Sequence, residues 1–194
     1  MISALTEDSV AAAPLRARDV IIRKAAMRDI APVLDLINGY AAKGIMLPRT
    51  EFELSENMRD FSVVYSGKNL LGCGALHFYS PTVGEIRSLA VAEQAKTQGA
   101  GRFLVEALVK EAHEYELHAV FAFTYVPQFF AKVGFGEVER GELPLKAWKD
   151  CLRCPKFQFC DEIAVLRVLQ PALWTAGLPT MPEPGLYIQL PIVR

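Results

Sequence analysis

The sequence predicts an α/β fold, one domain built on a mixed β-sheet with helices on both faces. Three observations carry this reading. Apolar runs of strand length alternate with segments of helical period in the order β-α-α-β-β-β-α-β-α-β-β. Two of those runs, 61–65 and 70–79, are joined by Ser66-Gly67-Lys68-Asn69, a hairpin signal. The stretch 84–115 then passes from an apolar segment through Gly99-Ala100-Gly101 into an amphipathic helix, which reads as strand, glycine turn, helix.

Residues 20–24 form the first short strand. The run 29–40 places Ile30, Val33, Leu34 and Ile37 at helical spacing, with Pro32 tolerated in the first turn. Gly44 closes that region and Ile45-Met46-Leu47-Pro48-Arg49 is extended loop. Thr50-x-x-Glu53 has the form of a capping box that opens a short helix to about residue 58. After the hairpin comes a strand over 84–91, then the long helix from Gly99, with Leu104, Leu108 and Ala112 on one face. A buried strand over 119–125, a short helix over 127–133, a strand over 135–139 and a last strand over 162–169 complete the domain. Residues 1–19 are Ala-rich without a periodic apolar face and are expected to form a tail. Residues 170–194 carry Pro171, Pro179, Pro182 and Pro184, too many for a continuing helix. Their run 186–193 could add an edge strand or cross to a second subunit, as in a homodimer.

The chain has 194 residues, 52% of them hydrophobic, and a formal net charge of -1. That size fits one domain with some decoration. The balance of charge disfavours a nucleic-acid partner, so an anionic ligand has to be held by local basic groups. No apolar run spans a bilayer, and the N-terminus carries acids where a signal peptide carries bases, so a cytoplasmic location is expected. Cys73 stands alone, while Cys151, Cys154 and Cys160 fall close together. With neither a second Cys-x-x-Cys nor a nearby His, they read as thiols rather than a metal site.

A helix start presents unpaired N–H groups and the positive end of the helix dipole, which suits a phosphorylated ligand. Dinucleotide-binding and P-loop turns do not fit: no third glycine follows Gly101, and Gly-Lys-Ser/Thr is absent. Lys96-x-x-Gly99-x-Gly101 instead resembles the Arg/Gln-x-x-Gly-x-Gly/Ala signature of the GNAT superfamily of acyl-CoA-dependent N-acyltransferases. Phe129-Phe130-Ala131-Lys132-Val133-Gly134-Phe135 is similar to that family's last motif, Tyr-x-x-x-Gly-Phe, with Phe130 at the tyrosine position. Within it, Gly44-Ile45-Met46-Leu47-Pro48-Arg49, Glu56-Asn57-Met58-Arg59-Asp60-Phe61, Gly84-Glu85-Ile86-Arg87-Ser88-Leu89-Ala90-Val91 and Glu142-Leu143-Pro144 resemble N-acetylglutamate synthases of the short bacterial kind.

The resemblance covers residues 20–169 and implies a GNAT-type sheet and an enzyme that moves acetyl from acetyl-CoA to the α-amino group of L-glutamate, the first step of arginine biosynthesis. It implies that Leu89, Ala90 and Val91 lie along the thioester and pantetheine, with Lys96, Thr97, Gln98, Gly99, Ala100, Gly101 and Arg102 about the pyrophosphate. Phe130 then packs on the cofactor. Glu85 matches the family's proposed base, although the residues alone would equally give it an ion pair with Arg87 or with a neighbouring strand. Arg49 matches a glutamate-binding arginine, with Leu47 and Ser88 beside the substrate and Thr124 at the catalytic centre. The second carboxylate-binding cation falls within the divergent segment 146–156, and Lys146, Arg153 and Lys156 remain alternatives. No metal is implied. Two other readings stand beside this one: an N-acetyltransferase for another amine, and an acyl-CoA-binding regulatory domain with weak catalysis, suggested by Phe130.

Overall fold

In a computed structural model the chain is described over residues 15–16, 20–143 and 154–174. The elements are β1 (Ile21–Lys24), α1 (Ile30–Ala41), α2 (Glu51–Asn57), β2 (Phe61–Ser66), β3 (Asn69–Phe78), β4 (Val83–Val91), α3 (Ala100–Glu114), β5 (Ala119–Thr124), α4 (Pro127–Ala131), β6 (Gly136–Glu137) and β7 (Ile163–Val168). Their order is the one the apolar periodicity predicts. The strands form a seven-stranded mixed sheet in the order β1-β2-β3-β4-β5-β7-β6. Strand β6 is shorter than expected, because the chain bends after Val138 into a 3-10 turn at Arg140–Glu142, closed by the Glu142 carboxylate accepting from the Glu139 N–H at 3.0 Å.

The chain divides into two compact units, one running through His77 and resuming over Ile86–Glu114, the other holding Phe78–Glu85 and the chain from Tyr115. In the first, β1 pairs antiparallel with β2, and β2 with β3 through the tight turn at Gly67 (φ 57°). Alternation along the strands puts Val63, Cys73 and Ala75 on one face, where Val33 and Ile37 of α1 and Leu54 of α2 bury them. The opposite face carries Val64, Gly72 and Gly74 and receives α3. A Cβ at Gly72 would lie 2.8 Å from the Ala90 carbonyl oxygen and 2.9 Å from Leu104 Cδ1. One at Gly74 would lie 3.0 Å from Leu89 Cδ1 and 3.2 Å from Leu108 Cδ1. Leu104 and Leu108 sit one helical turn apart, and Gly72 and Gly74 one strand repeat apart. The two periods therefore match, and the missing side chains let α3 seat two fully buried leucines, each contributing roughly 1.5–3 kcal/mol.

A buried ion pair fastens β1 to the chain entering α1. Asp29, 2% exposed, accepts from Arg23 Nη1 at 2.7 Å and Nη2 at 2.8 Å, from the Ala26 N–H at 2.7 Å and from the Tyr65 hydroxyl at 3.0 Å. The Arg23 guanidinium outweighs the desolvation and holds the Asp29 carboxyl down at about 2, below its ordinary 3.8.

In the second unit β5 is central. It runs parallel to β4 over Val83↔Ala119, Gly84↔Val120 and Glu85↔Phe121, and antiparallel to β7 from Ala119↔Val168 to Thr124↔Ile163. With neighbours on both edges its side chains are nearly all buried, which explains the unbroken apolar run in the sequence. Phe121 packs edge-on against Tyr79 at 5.7 Å and Phe123 at 5.9 Å.

Gly72→Ala, whose new methyl meets backbone, is expected to lower the unfolding free energy by about 1–3 kcal/mol. Gly74→Ala, whose methyl meets only side chains, should cost less, and urea denaturation of the two variants checks the ranking. Because Asp29 binds its proton more weakly when folded, its stabilising contribution is complete above pH ~4 and disappears as pH falls through about 2. Wild-type protein is expected to lose stability more steeply than Asp29→Asn across that interval, as read by thermal unfolding against pH.

Candidate active site

In the first unit, β4 leads into the glycine turn and α3. A 3-10 turn at Glu93–Ala95 is followed by Thr97 at φ 65° and Gly99 at φ 100°, after which Phe103 N–H donates to the Gly99 carbonyl at 3.0 Å and the helix begins. A left-handed residue at 99 is what selects glycine there. Helix α3 runs for 15 residues, long enough for its first-turn amides and dipole to favour an anion, and Gly99, Ala100 and Gly101 put no bulky side chain of their own at that start. This chemistry fits the phosphates of a CoA thioester. Lys96 stands at the turn with its Nζ 3.0 Å from Glu93 and 5.0 Å from the centre of the Tyr40 ring, and the Glu93 carboxylate raises its pKa. Arg102 pairs with Glu106 at 2.6 Å, and Gln98 turns its amide back to the Gln94 carbonyl.

Strand β4 carries a left-handed residue of its own, Ser88 at φ 52°, whose carbonyl accepts from the Cys73 thiol at 3.8 Å. Cys73 is fully buried, and desolvation pushes its thiol up to about 12. It is therefore neither a thiolate nor within reach of a substrate. Leu89 and Val91 are half-buried and Ala90 is buried. The Tyr40 hydroxyl donates to the Val91 carbonyl at 2.6 Å.

Leu47 and Arg49 are half-buried in the extended segment between α1 and α2. Asn38, on α1, clips that segment: its Oδ1 accepts from the Arg49 N–H and its Nδ2 donates to the Arg49 carbonyl, each at 2.9 Å. Directly afterwards Thr50 caps α2, accepting from the Glu53 N–H while its own N–H donates to the Glu53 carboxylate. Arg49 is thus fixed from both sides by short, local hydrogen bonds.

In the second unit, Glu85 is 3% exposed and stands opposite Phe121 in the parallel ladder. Thr124 ends β5 with its hydroxyl oxygen accepting from the Val126 N–H at 3.0 Å, which leaves the hydroxyl proton to be donated elsewhere. Phe130 is buried in an aromatic stack, 5.3 Å from Phe129 and 5.2 Å from Phe135. Lys156 donates to the Tyr125 hydroxyl at 3.1 Å and to Asp161 at 3.2 Å, with its ammonium 4.7 Å from the Tyr125 ring centre. Of the three cations considered for the second carboxylate, Lys146 and Arg153 lie outside the described residues, as does Cys151. Cys154 and Cys160 are free thiols.

Sequence reasoning passed over Asn38, Tyr40 and Asp161. Asn38 left one trace: asparagine in a helix interior is unfavourable unless its side chain has work elsewhere. Tyr40 and Asp161 had none, since each acts on a residue far away in the chain or on a segment without a motif.

A mixed sheet whose strand feeds a glycine turn and a long helix is an arrangement that suits an acyltransferase using CoA. A model of the Acetyltransferase (GNAT) family matches residues 34–135, and the chain belongs to that family. Its sequence is 39% identical over 153 residues to an uncharacterized N-acetyltransferase of Chlorobaculum tepidum, covering 79% of this chain and 99% of that one. An amino-acid acetyltransferase of Mycobacterium tuberculosis is 35% identical over 123 residues, 61% of this chain and 70% of the relative. Among solved structures, N-acetylglutamate synthase from Neisseria gonorrhoeae, complexed with coenzyme A and N-acetyl-glutamate, superposes with a TM-score of 0.70 at 31% identity. That match takes in 78% of this chain but 35% of the synthase. The protein is an acetyl-CoA-dependent N-acetyltransferase, and among its described residues no helix is long and apolar enough to cross a membrane.

Asn38→Ala removes both bonds to the Arg49 backbone, and the expected loss of stability is about 1–3 kcal/mol. Thermal unfolding of the variant beside the wild-type chain checks this loss.

Proposed function

We propose that the protein acetylates the α-amino group of L-glutamate, the reaction that opens arginine biosynthesis. The observation that carries this reading is the 31% identity to a synthase complexed with N-acetyl-glutamate, together with the amino-acid acetyltransferase relatives. Arg49 adds support by its chemistry, since a dicarboxylate acceptor calls for a planar cation with paired donors.

Acetyl-CoA supplies an activated acyl group. In this reading Glu85 takes the proton from the glutamate ammonium, directly or through one water, and frees the nitrogen lone pair to attack the acetyl carbon. Backbone amides of Leu89, Ala90 and Val91 orient and polarise the thioester carbonyl, and the turn from Lys96 to Arg102 holds the pyrophosphate. The new C–N bond forms as the C–S bond breaks; the electron pair of the latter leaves on sulfur, and the second proton that the nitrogen sheds passes to water or to that thiolate. Arg49 holds one substrate carboxylate, and Lys146, Arg153 and Lys156 are the candidates for the other. Cys73, buried and protonated, is not a nucleophile, which agrees with direct attack by the amine.

Purified protein is expected to turn over L-glutamate with a higher kcat/KM than L-glutamine or L-aspartate. Glu85→Gln should lower kcat by roughly 100-fold or more with CoA affinity retained, and Arg49→Ala should raise the glutamate KM. A preference for another amine, or full turnover by Glu85→Gln, would overturn the assignment.

A further inference from the structure

The segment ahead of β1 reaches the glycine turn. Leu15 N–H donates to the Gln98 carbonyl at 2.9 Å, and the Leu15 side chain packs, half-buried, on the cluster that includes Ala95 and Ala100. That cluster includes residues on either side of the turn.

The carbonyl that Leu15 holds lies between two left-handed residues, Thr97 and Gly99. Helical and strand ladders fix the peptide planes on either side, but a turn of this kind has no ladder. Within the turn, Gln98 N–H reaches the Ala95 carbonyl only at 3.4 Å. Glycine at 99 makes the neighbouring plane easier still to rotate. The peptide unit is planar and trans, so the oxygen of Gln98 and the N–H of Gly99 point in opposite directions. Whatever anchors the oxygen also aims the N–H.

We propose that Leu15 is a positioning residue for the cofactor: its backbone N–H locks the Gln98–Gly99 peptide so that the Gly99 amide faces the pyrophosphate of acetyl-CoA. This rests on the assignment of the turn to the pyrophosphate. It gives a residue outside the family-matched region a part in cofactor binding.

Two variants of the full chain test it. Leu15→Pro deletes the N–H, and Leu15→Gly keeps the N–H while removing the side chain that seats it. Calorimetric titration with CoA is expected to show Kd raised about 3- to 10-fold in Leu15→Pro, the worth of one hydrogen bond, and raised less in Leu15→Gly. Acetyl-pantetheine has the thioester but no pyrophosphate. With L-glutamate as acceptor, both variants should lose kcat/KM for acetyl-CoA and keep it for acetyl-pantetheine. A CoA Kd unchanged in Leu15→Pro overturns the proposal, and so does an equal loss with the two donors, which would mean a general loosening of the fold. If the wild-type chain used both donors with the same kcat/KM, the pyrophosphate assignment itself would fail and Leu15 would be a packing residue.

Discussion

Strand β4 is held in a shape that strands do not take on their own, and much of the first unit is arranged to keep it there. A serine at φ 52° inside a strand costs about 1–3 kcal/mol and persists only where its surroundings leave no alternative. The surroundings are specific. Cys73 donates to the Ser88 carbonyl, Gly72 lets the Ala90 carbonyl come closer than a Cβ would allow, and Tyr40 donates to the Val91 carbonyl. Ala92 N–H donates to the Leu71 carbonyl at 2.8 Å just past the strand's end. Gly72, Cys73 and Gly74 thus act as one mould, small on the α3 side and buried on the other.

Element order was legible in the sequence because it follows from apolar period, glycine turns and the Thr50–Glu53 capping box, all of which are local. The glycine turn was legible for a different reason, as a piece of a family pattern, and the same pattern is what singles out Arg49 as a candidate. What escaped was whatever depends on contact across the chain. Nothing in the letters around Ser88 announces a left-handed residue, because serine has no particular liking for it; the cause lies in β3. The shortness of β6 had a local cause, Glu139 and Glu142 closing a turn, but that signal is weak beside the apolar run 135–139. The contacts of Lys156 with Tyr125 and Asp161 also escaped, because Tyr125 lies 31 residues away in the chain.

With a formal charge of -1 the chain has no strong field with which to gather an anionic cofactor. Its cations near the turn already have partners: Lys96 with Glu93, both about half exposed, and Arg102 with Glu106. Exposed pairs of this kind are worth at most about 1 kcal/mol each, so a phosphate can take over either cation at little loss. In the proposed reading Glu93 and Glu106 keep the two side chains near the turn before the cofactor arrives, and backbone amides, which need no rearrangement, provide the rest.

The phenylalanine at 130 raises the question of how the departing thiolate is protonated. Phe130 is committed to packing between Phe129 and Phe135, and a hydroxyl added there would enter a buried aromatic stack. The exposed end of β5 offers other groups. Burial raises the Tyr125 pKa, and the Tyr125 and Asp161 contacts raise that of Lys156, so both hold their protons at neutral pH. A thiol with an ordinary pKa of about 8.5 is mostly protonated once released at that pH, but its anion is a weak enough base to depart without an acid and take its proton from water afterwards. An acid built into α4 would therefore add little, and the chain has used position 130 to stiffen the short helix instead.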